Sequence, residues 1–203
     1  MRLTREERRT QLVQIGMRLV TASSFDAVSV DDVAEEAGIS RSLLFHYFPT
    51  KHDFQVAVAV AATEDLLEAT RPDPDLPAME RLRTSLAAYI DYVAHRRDAF
   101  LSMVRGASGA SHELRAVVNR AHEEVAERIL EGLEIAPDEA TPFLRVAVHG
   151  WIGFMEESVM RWLAEDMGSR ERLIDLIETV LVQALLALHE HEPAHLDSDG
   201  TVS

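Results

Sequence analysis

Between Ser40 and Lys51 the chain gathers side chains of kinds that can hold phosphates and read base edges. Arg41, Ser42 and His46 supply hydrogen-bond donors, Phe45 a flat apolar ring and Tyr47 a phenol, while Lys51 is the only lysine in 203 residues. Donors of this sort meet DNA phosphates and, in the case of arginine, the major-groove edge of guanine. Lys51 falls at the start of a predicted helix, where a cation opposes the helix dipole by a few tenths of a kcal/mol up to about 1. A phosphate held by that N-terminus and by Lys51 together offsets the cost.

Catalytic patterns are missing by comparison. The chain has no G-x-S-x-G, no G-x-x-x-x-G-K followed by Ser or Thr, no H-E-x-x-H and no glycine-rich nucleotide loop, so neither an enzyme activity nor a cofactor is expected. Zero cysteines excludes disulfides, thiolate zinc sites and cysteine nucleophiles. His189, Glu190, His191, Glu192 and His195 are metal-ligand types, but they read as a helix end running into a polar tail, and no metal is expected.

The elements that position the donors are two short helices with a tight corner. Ser29 caps the first through the amide of Asp32, and Asp31 and Asp32 place negative charge at its positive end. Val30, Val33, Ala34 and Ala37 follow at i, i+3, i+4 and i+7, which makes it a packing helix. Gly38 takes the left-handed conformation that ends a helix, Ile39 folds back, and Ser40 caps the second helix. That helix runs from Arg41 to Tyr47, turning Leu44 and Phe48 inward and Arg41, Ser42, Phe45 and His46 outward. The arrangement fits a helix-turn-helix, whose second helix enters the major groove, and equally an ordinary helical hairpin within a core. Pro49 then ends the second helix, Thr50 caps a third with Asp53 at its third position, and Lys51 opens it.

Ala34, Ala37, Gly38, Ile39, Ser40, Leu44, Phe45, Tyr47, Phe48, Thr50 and Lys51, in this spacing, resemble the DNA-binding domain of the TetR family of bacterial transcriptional regulators over about residues 4 to 55. The resemblance implies that Ser29, Ser40, Arg41, Ser42, Leu43, Phe45 and His46 lie at the DNA, and that Tyr47 and Lys51 hold its backbone. Two positions depart from the family pattern. Leu43 stands where a small or hydroxylated residue is usual, and Phe45 where tyrosine is usual, so operator sequence does not carry over. Phe45 lacks a phosphate-binding hydroxyl but can lie against a thymine methyl.

The remainder of the chain predicts an all-α protein. A first helix from Thr4 to about Ser24, with a Thr4–Glu7 capping box and Leu12, Ile15, Leu19 and Val20 on one face, completes a three-helix domain over 1–50, closed by Phe25. A connecting helix from Thr50 to Thr70 is apolar at Phe54, Val58, Ala61 and Ala62, and three prolines in residues 72–77 end it. Helices follow at about 78–95, 97–107, 111–132, 138–165 and 169–190, making a larger helical domain over 51–190, with a tail over 191–203 expected to be disordered. Tyr89, Ile90 and Val93 begin an apolar face continued by Phe100, Leu101, Met103 and Val104; Gly106 and Gly109 open a turn, and Ser111 caps the helix carrying Leu114, Val118, Ala121, Val125 and Ile129.

The formal net charge of −15 argues against nucleic acid until it is divided along the chain. Residues 1–50 carry only −1 and the rest −14, and Arg2, Arg5, Arg8 and Arg9 cluster at the N-terminus. The acidic remainder repels DNA at a distance and favours binding through one face. No export signature opens the chain and no apolar run reaches the roughly 18 residues of a membrane span, so a cytoplasmic protein is expected.

The last two helices are apolar around their whole circumference, so each needs a second packing partner or a central place in the core. The resemblance implies that they form a four-helix bundle with their copy in a homodimer, presenting two recognition helices to a palindromic operator. It also implies a ligand cavity, for which Tyr89, Phe100, Met103, Val104, His122, Phe143, Trp151 and Phe154 are the candidates, each of a kind more often core than pocket. Such a lining suits an apolar or amphipathic organic molecule. Arg145 and His149, one turn apart, can pair with an acidic ligand group or with Glu156. The expectation is a ligand-responsive repressor in which ligand moves the connecting helix. A helical ligand-binding or protein-interaction dimer without useful DNA affinity is the alternative, separated from it by salt-dependent, sequence-specific DNA binding.

Overall fold

The computed structural model describes residues 3–22, 28–98, 112–136, 138–165 and 167–191. Among these residues there are eight α-helices and no strand: α1 (Arg5–Ala22), α2 (Val30–Glu36), α3 (Arg41–Tyr47), α4 (Lys51–Ala69), α5 (Ala78–His95), α6 (His112–Gly132), α7 (Pro142–Glu165) and α8 (Arg170–His191). Phe25, the expected helix 97–107 beyond Asp98 with Phe100, Leu101, Met103 and Val104, the turn at Gly106 and Gly109, the cap Ser111 and the tail beyond His191 lie outside the described residues.

Helices α1 to α4 enclose one apolar core. Leu12, Val33 and Leu44 are fully buried, with Phe48, Phe54 and Val58 nearly so. Burying such a side chain contributes about 1.5–3 kcal/mol. The core does not stop at residue 50, because Phe54, Val58 and Ala59 of the connecting helix α4 belong to it, as does Leu114 from α6. The close crossing of α1 on α4 depends on Gly16: a Cβ there would stand 2.6 Å from Phe54 Cζ and 2.7 Å from Val58 Cγ2.

Helices α5 to α8 enclose the second core, around Ile90, Val93, Ile152, Val159 and Ile177. Pro72, Pro74 and Pro77 separate α4 from α5 as expected. The helix predicted from 138 begins at Pro142, because proline suits a first helical position and Thr141 Oγ1 accepts from the amide of Leu144 at 3.2 Å. The turn into α8 uses Gly168 at φ 96°, a conformation that favours glycine, and its carbonyl accepts from Trp162 Nε1 at 3.0 Å. Arg83 joins α5 to α8 through Asp175 and Glu178, and Arg170 joins α8 to α5 through Asp91 and the Ala87 carbonyl.

Candidate nucleic-acid interface and the cavity behind it

Local hydrogen bonds set the geometry of the short helices. Ser29 and Asp32 form a reciprocal capping box, with Ser29 N donating to Asp32 Oδ2 at 3.0 Å and Asp32 N to Ser29 Oγ at 3.1 Å. At the corner Gly38 has φ 64°, and Ile39 N donates to Ala34 O at 3.0 Å, closing the end of α2. Ser40 Oγ then accepts from Leu43 N, and Thr50 with Asp53 caps α4. These caps hold α3 between two fixed corners.

On α3, Leu44 is buried while Arg41, Ser42, Leu43 and His46 are exposed; Leu43, at 41 %, is an apolar side chain left in solvent. Phe45 and Tyr47 are half-buried against the N-terminal core, so Phe45 offers one side of its ring rather than the whole of it. Arg41 Nη1 reaches both carboxylate oxygens of Asp31 at 2.9 and 3.2 Å, and the Arg41 Cζ lies 5.5 Å from the Phe45 ring centre. Both partners are 60 % exposed, so the pair orients Arg41 at little energetic cost to releasing it. Lys51 is exposed at the first position of α4, with no carboxylate within 4.0 Å among the described residues. Of the N-terminal arginines, Arg9 lies over the buried Phe48 ring at 4.9 Å and Arg2 is outside the described residues.

Behind this surface lies a cavity of about 570 Å³ between the C-terminal half of α4 and helices α5 to α8. Leu86, Trp151, Ile152, Met155 and Leu185 make it largely apolar. Trp151 Nε1 is already engaged with the Ile177 carbonyl at 2.8 Å, leaving the indole ring to the cavity. Polar side chains also line it, Arg81, Ser85, Glu124 and Glu127 among them. His122 Nε2 lies 2.9 Å from Glu156 Oε1, and that hydrogen bond raises the imidazole above its ordinary pKa against the opposing effect of burial. Burial, with Glu156 nearby, pushes the Tyr89 phenol well above its usual range. Arg128 donates to the Leu67 carbonyl at 2.8 Å and to Glu124 at 2.6 Å.

The predicted ligand residues divide. Tyr89, His122 and Trp151 line this cavity, while Phe100, Met103 and Val104 lie outside the described residues. Two others stand apart from this cavity. Phe143 is 75 % exposed, since it sits on a stripe of α7 with Val146, Gly150 and Gly153 that turns away from the core, and Phe154 packs on the second core but is not part of the cavity wall. His149 approaches Glu123 at 3.6 Å, and Glu156 takes His122 instead. Sequence reasoning missed Leu66, Leu67 and Thr70, through which the connecting helix itself forms part of the wall, and Arg128, whose only local signal is Glu124 one turn earlier.

An exposed recognition helix behind a glycine corner, carried on a helix whose far end walls an apolar cavity, defines a helix-turn-helix regulator. Residues 12–58 match the family model described as bacterial regulatory proteins, tetR family, and residues 78–186 match that of the tetracyclin repressor-like C-terminal domain. The chain belongs to the TetR family and is a DNA-binding transcriptional regulator. It is 23 % identical over 169 residues to the HTH-type transcriptional activator FasR of Mycolicibacterium smegmatis, covering 81 % of this chain and 76 % of that one. A TetR-family regulator from Streptomyces coelicolor superposes with a TM-score of 0.83 at 28 % identity, over 95 % of this chain and 85 % of the other. The fatty acid degradation regulator FadR of Bacillus halodurans shares the fold, with a TM-score of 0.61 at 17 % identity over 87 % and 94 %. Among the described residues no helix is long and apolar enough to cross a membrane.

Proposed function

We propose that this regulator is a homodimeric repressor that leaves a palindromic operator when an apolar or amphipathic organic molecule enters the cavity. One observation carries the reading: Leu66 and Leu67 of α4 and its C-cap Thr70 belong to the cavity wall, while Lys51 and the end of α3 stand at the other end of the same helix. A ligand that fits the cavity in one position of α4 better than in another shifts the populations of the two, and with them the spacing of the recognition helices. The unliganded form is then the DNA-binding one, which blocks transcription where its site overlaps a promoter.

In this reading residues 1–50 bind DNA and 51–190 bind ligand and dimerise. Arg41, Ser42, Leu43, Phe45 and His46 face the groove, while Ser29, Ser40, Tyr47 and Lys51 hold the backbone. The dimer face is the exposed part of α7 and α8. Phe143, Val146, Leu176 and Leu186 are 50–75 % exposed there, and a Cβ at Gly150 or Gly153 would meet nothing within 4 Å, so a partner helix can come close. The test is fluorescence-anisotropy binding to the DNA upstream of the protein's own gene, with salt titrated and scrambled duplex as competitor. Tight binding that survives competitor at two subunits per palindrome is expected. Equal binding to scrambled DNA, with no duplex recovered by random-sequence selection either, overturns the reading.

A further inference from the structure

Helix α6 takes part in both cores. In its first turn Leu114, 6 % exposed, belongs to the N-terminal cluster with Leu12, Phe54 and Val58, and Glu113 lies 3.3 Å from His52, the residue after Lys51. Further along, Ala126 and Leu130 belong to the second core, and Ala121, His122, Val125 and Ile129 line the cavity. From His112 to Glu131 the helix contains no glycine or proline, so the roughly 22 Å between Leu114 and Ile129 is one stiff rod. Close-packed side chains do not absorb a displacement; they move to a different packing or stay where they are.

We infer that α6 is a second route from cavity to DNA, parallel to the connecting helix, and that Leu114 is the positioning residue through which cavity occupancy reaches the N-terminal core. The inference rests on the cavity being the effector site. A molecule wedged against Val125 pushes the rod, Leu114 shifts among the residues that also seat α1 and α4, and α3 is reoriented with them. Removing the leucine side chain uncouples the rod from that core, while leaving a cavity where Leu114 packed.

A double-mutant cycle tests this without knowledge of the natural effector. Val125→Trp fills part of the cavity from the α6 wall, and operator affinity is measured on a palindromic duplex selected from random sequence by the wild-type protein. Val125→Trp is expected to weaken binding roughly ten-fold in the wild-type background and less than about two-fold in Leu114→Ala, each loss taken relative to its own parent. Folding is checked by circular dichroism, with Leu114→Val and Ala121→Trp standing in for a variant that does not fold. Equal losses in the two backgrounds overturn the α6 route and leave the signal on α4 alone. No loss from Val125→Trp in the wild-type background overturns the cavity as effector site, and the α6 route with it.

Discussion

Arg128 Nη1 donates a 2.8 Å hydrogen bond to the carbonyl of Leu67, so the α6 wall of the cavity holds the last turn of the connecting helix. The carbonyls of a final turn lack partners within their own helix, and a cation there also suits the dipole. Arg128 is only 14 % exposed on its side chain, so solvent screens the contact little. Arg128→Met keeps the apolar stem and removes the donor, and is expected to cost about 1.5–3 kcal/mol. Thermal melting measures the loss, and amide exchange at residues 66–70 should accelerate. An unchanged melting temperature with unchanged exchange would mean that water replaces the guanidinium without penalty.

Gly16 is held by sterics. Adding one methyl in Gly16→Ala brings a Cβ to 2.6 Å from Phe54 Cζ, and Phe54 is itself 3 % exposed and stacked edge-on to Phe48. Overpacking of this kind costs about 1–3 kcal/mol, against a helix-propensity gain of up to about 1 for alanine over glycine. The expected result is a lower melting temperature and weaker operator binding, since α1 must move away from α4. A variant as stable as wild type would show that the Phe54 ring has room to turn.

At the DNA surface Lys51 and Arg41 should behave differently. Lys51→Ala is expected to weaken all duplexes about equally and to reduce the salt slope of binding by roughly 1, as loss of a phosphate contact does. Arg41→Ala is expected to change which sequence is preferred, costing about 1–3 kcal/mol on the selected operator and less on mismatched sites. Binding titrations at several salt concentrations on matched and mismatched duplexes measure both. Uniform loss from both substitutions removes the distinction between positioning and readout.

The His122–Glu156 pair makes stability depend on pH in one direction. The folded protein raises the imidazole above its ordinary value, chiefly through the hydrogen bond to Glu156, so folding takes up protons. The contribution is fully present below the unfolded value of about 6.5 and is lost as pH rises through the raised folded value. The melting-temperature advantage of wild type over Glu156→Gln is therefore expected to be larger near pH 5.5 than near pH 8.5. An advantage that grew toward high pH would reverse the assignment.

What the sequence determined by itself is the part of the protein that rests on neighbours three to five residues apart. The capping boxes at Ser29–Asp32 and Thr50–Asp53, the left-handed Gly38 and the inward turn of Leu44 and Phe48 are all local, and each stands where its residue types require. The all-helical class followed from the same periodicities. What only the tertiary structure decided joins residues far apart in the chain: Arg128 with Leu67, 61 positions away, Leu114 inside a core built from residues before 60, and Gly16 against Phe54. The same holds for the candidate ligand site, where Tyr89 and Phe143 read alike as apolar aromatics and one lines the cavity while the other stands in solvent. Periodicity says that a helix has an apolar face, but the crossing of one helix on another says what that face meets, and a cavity is the space those crossings leave.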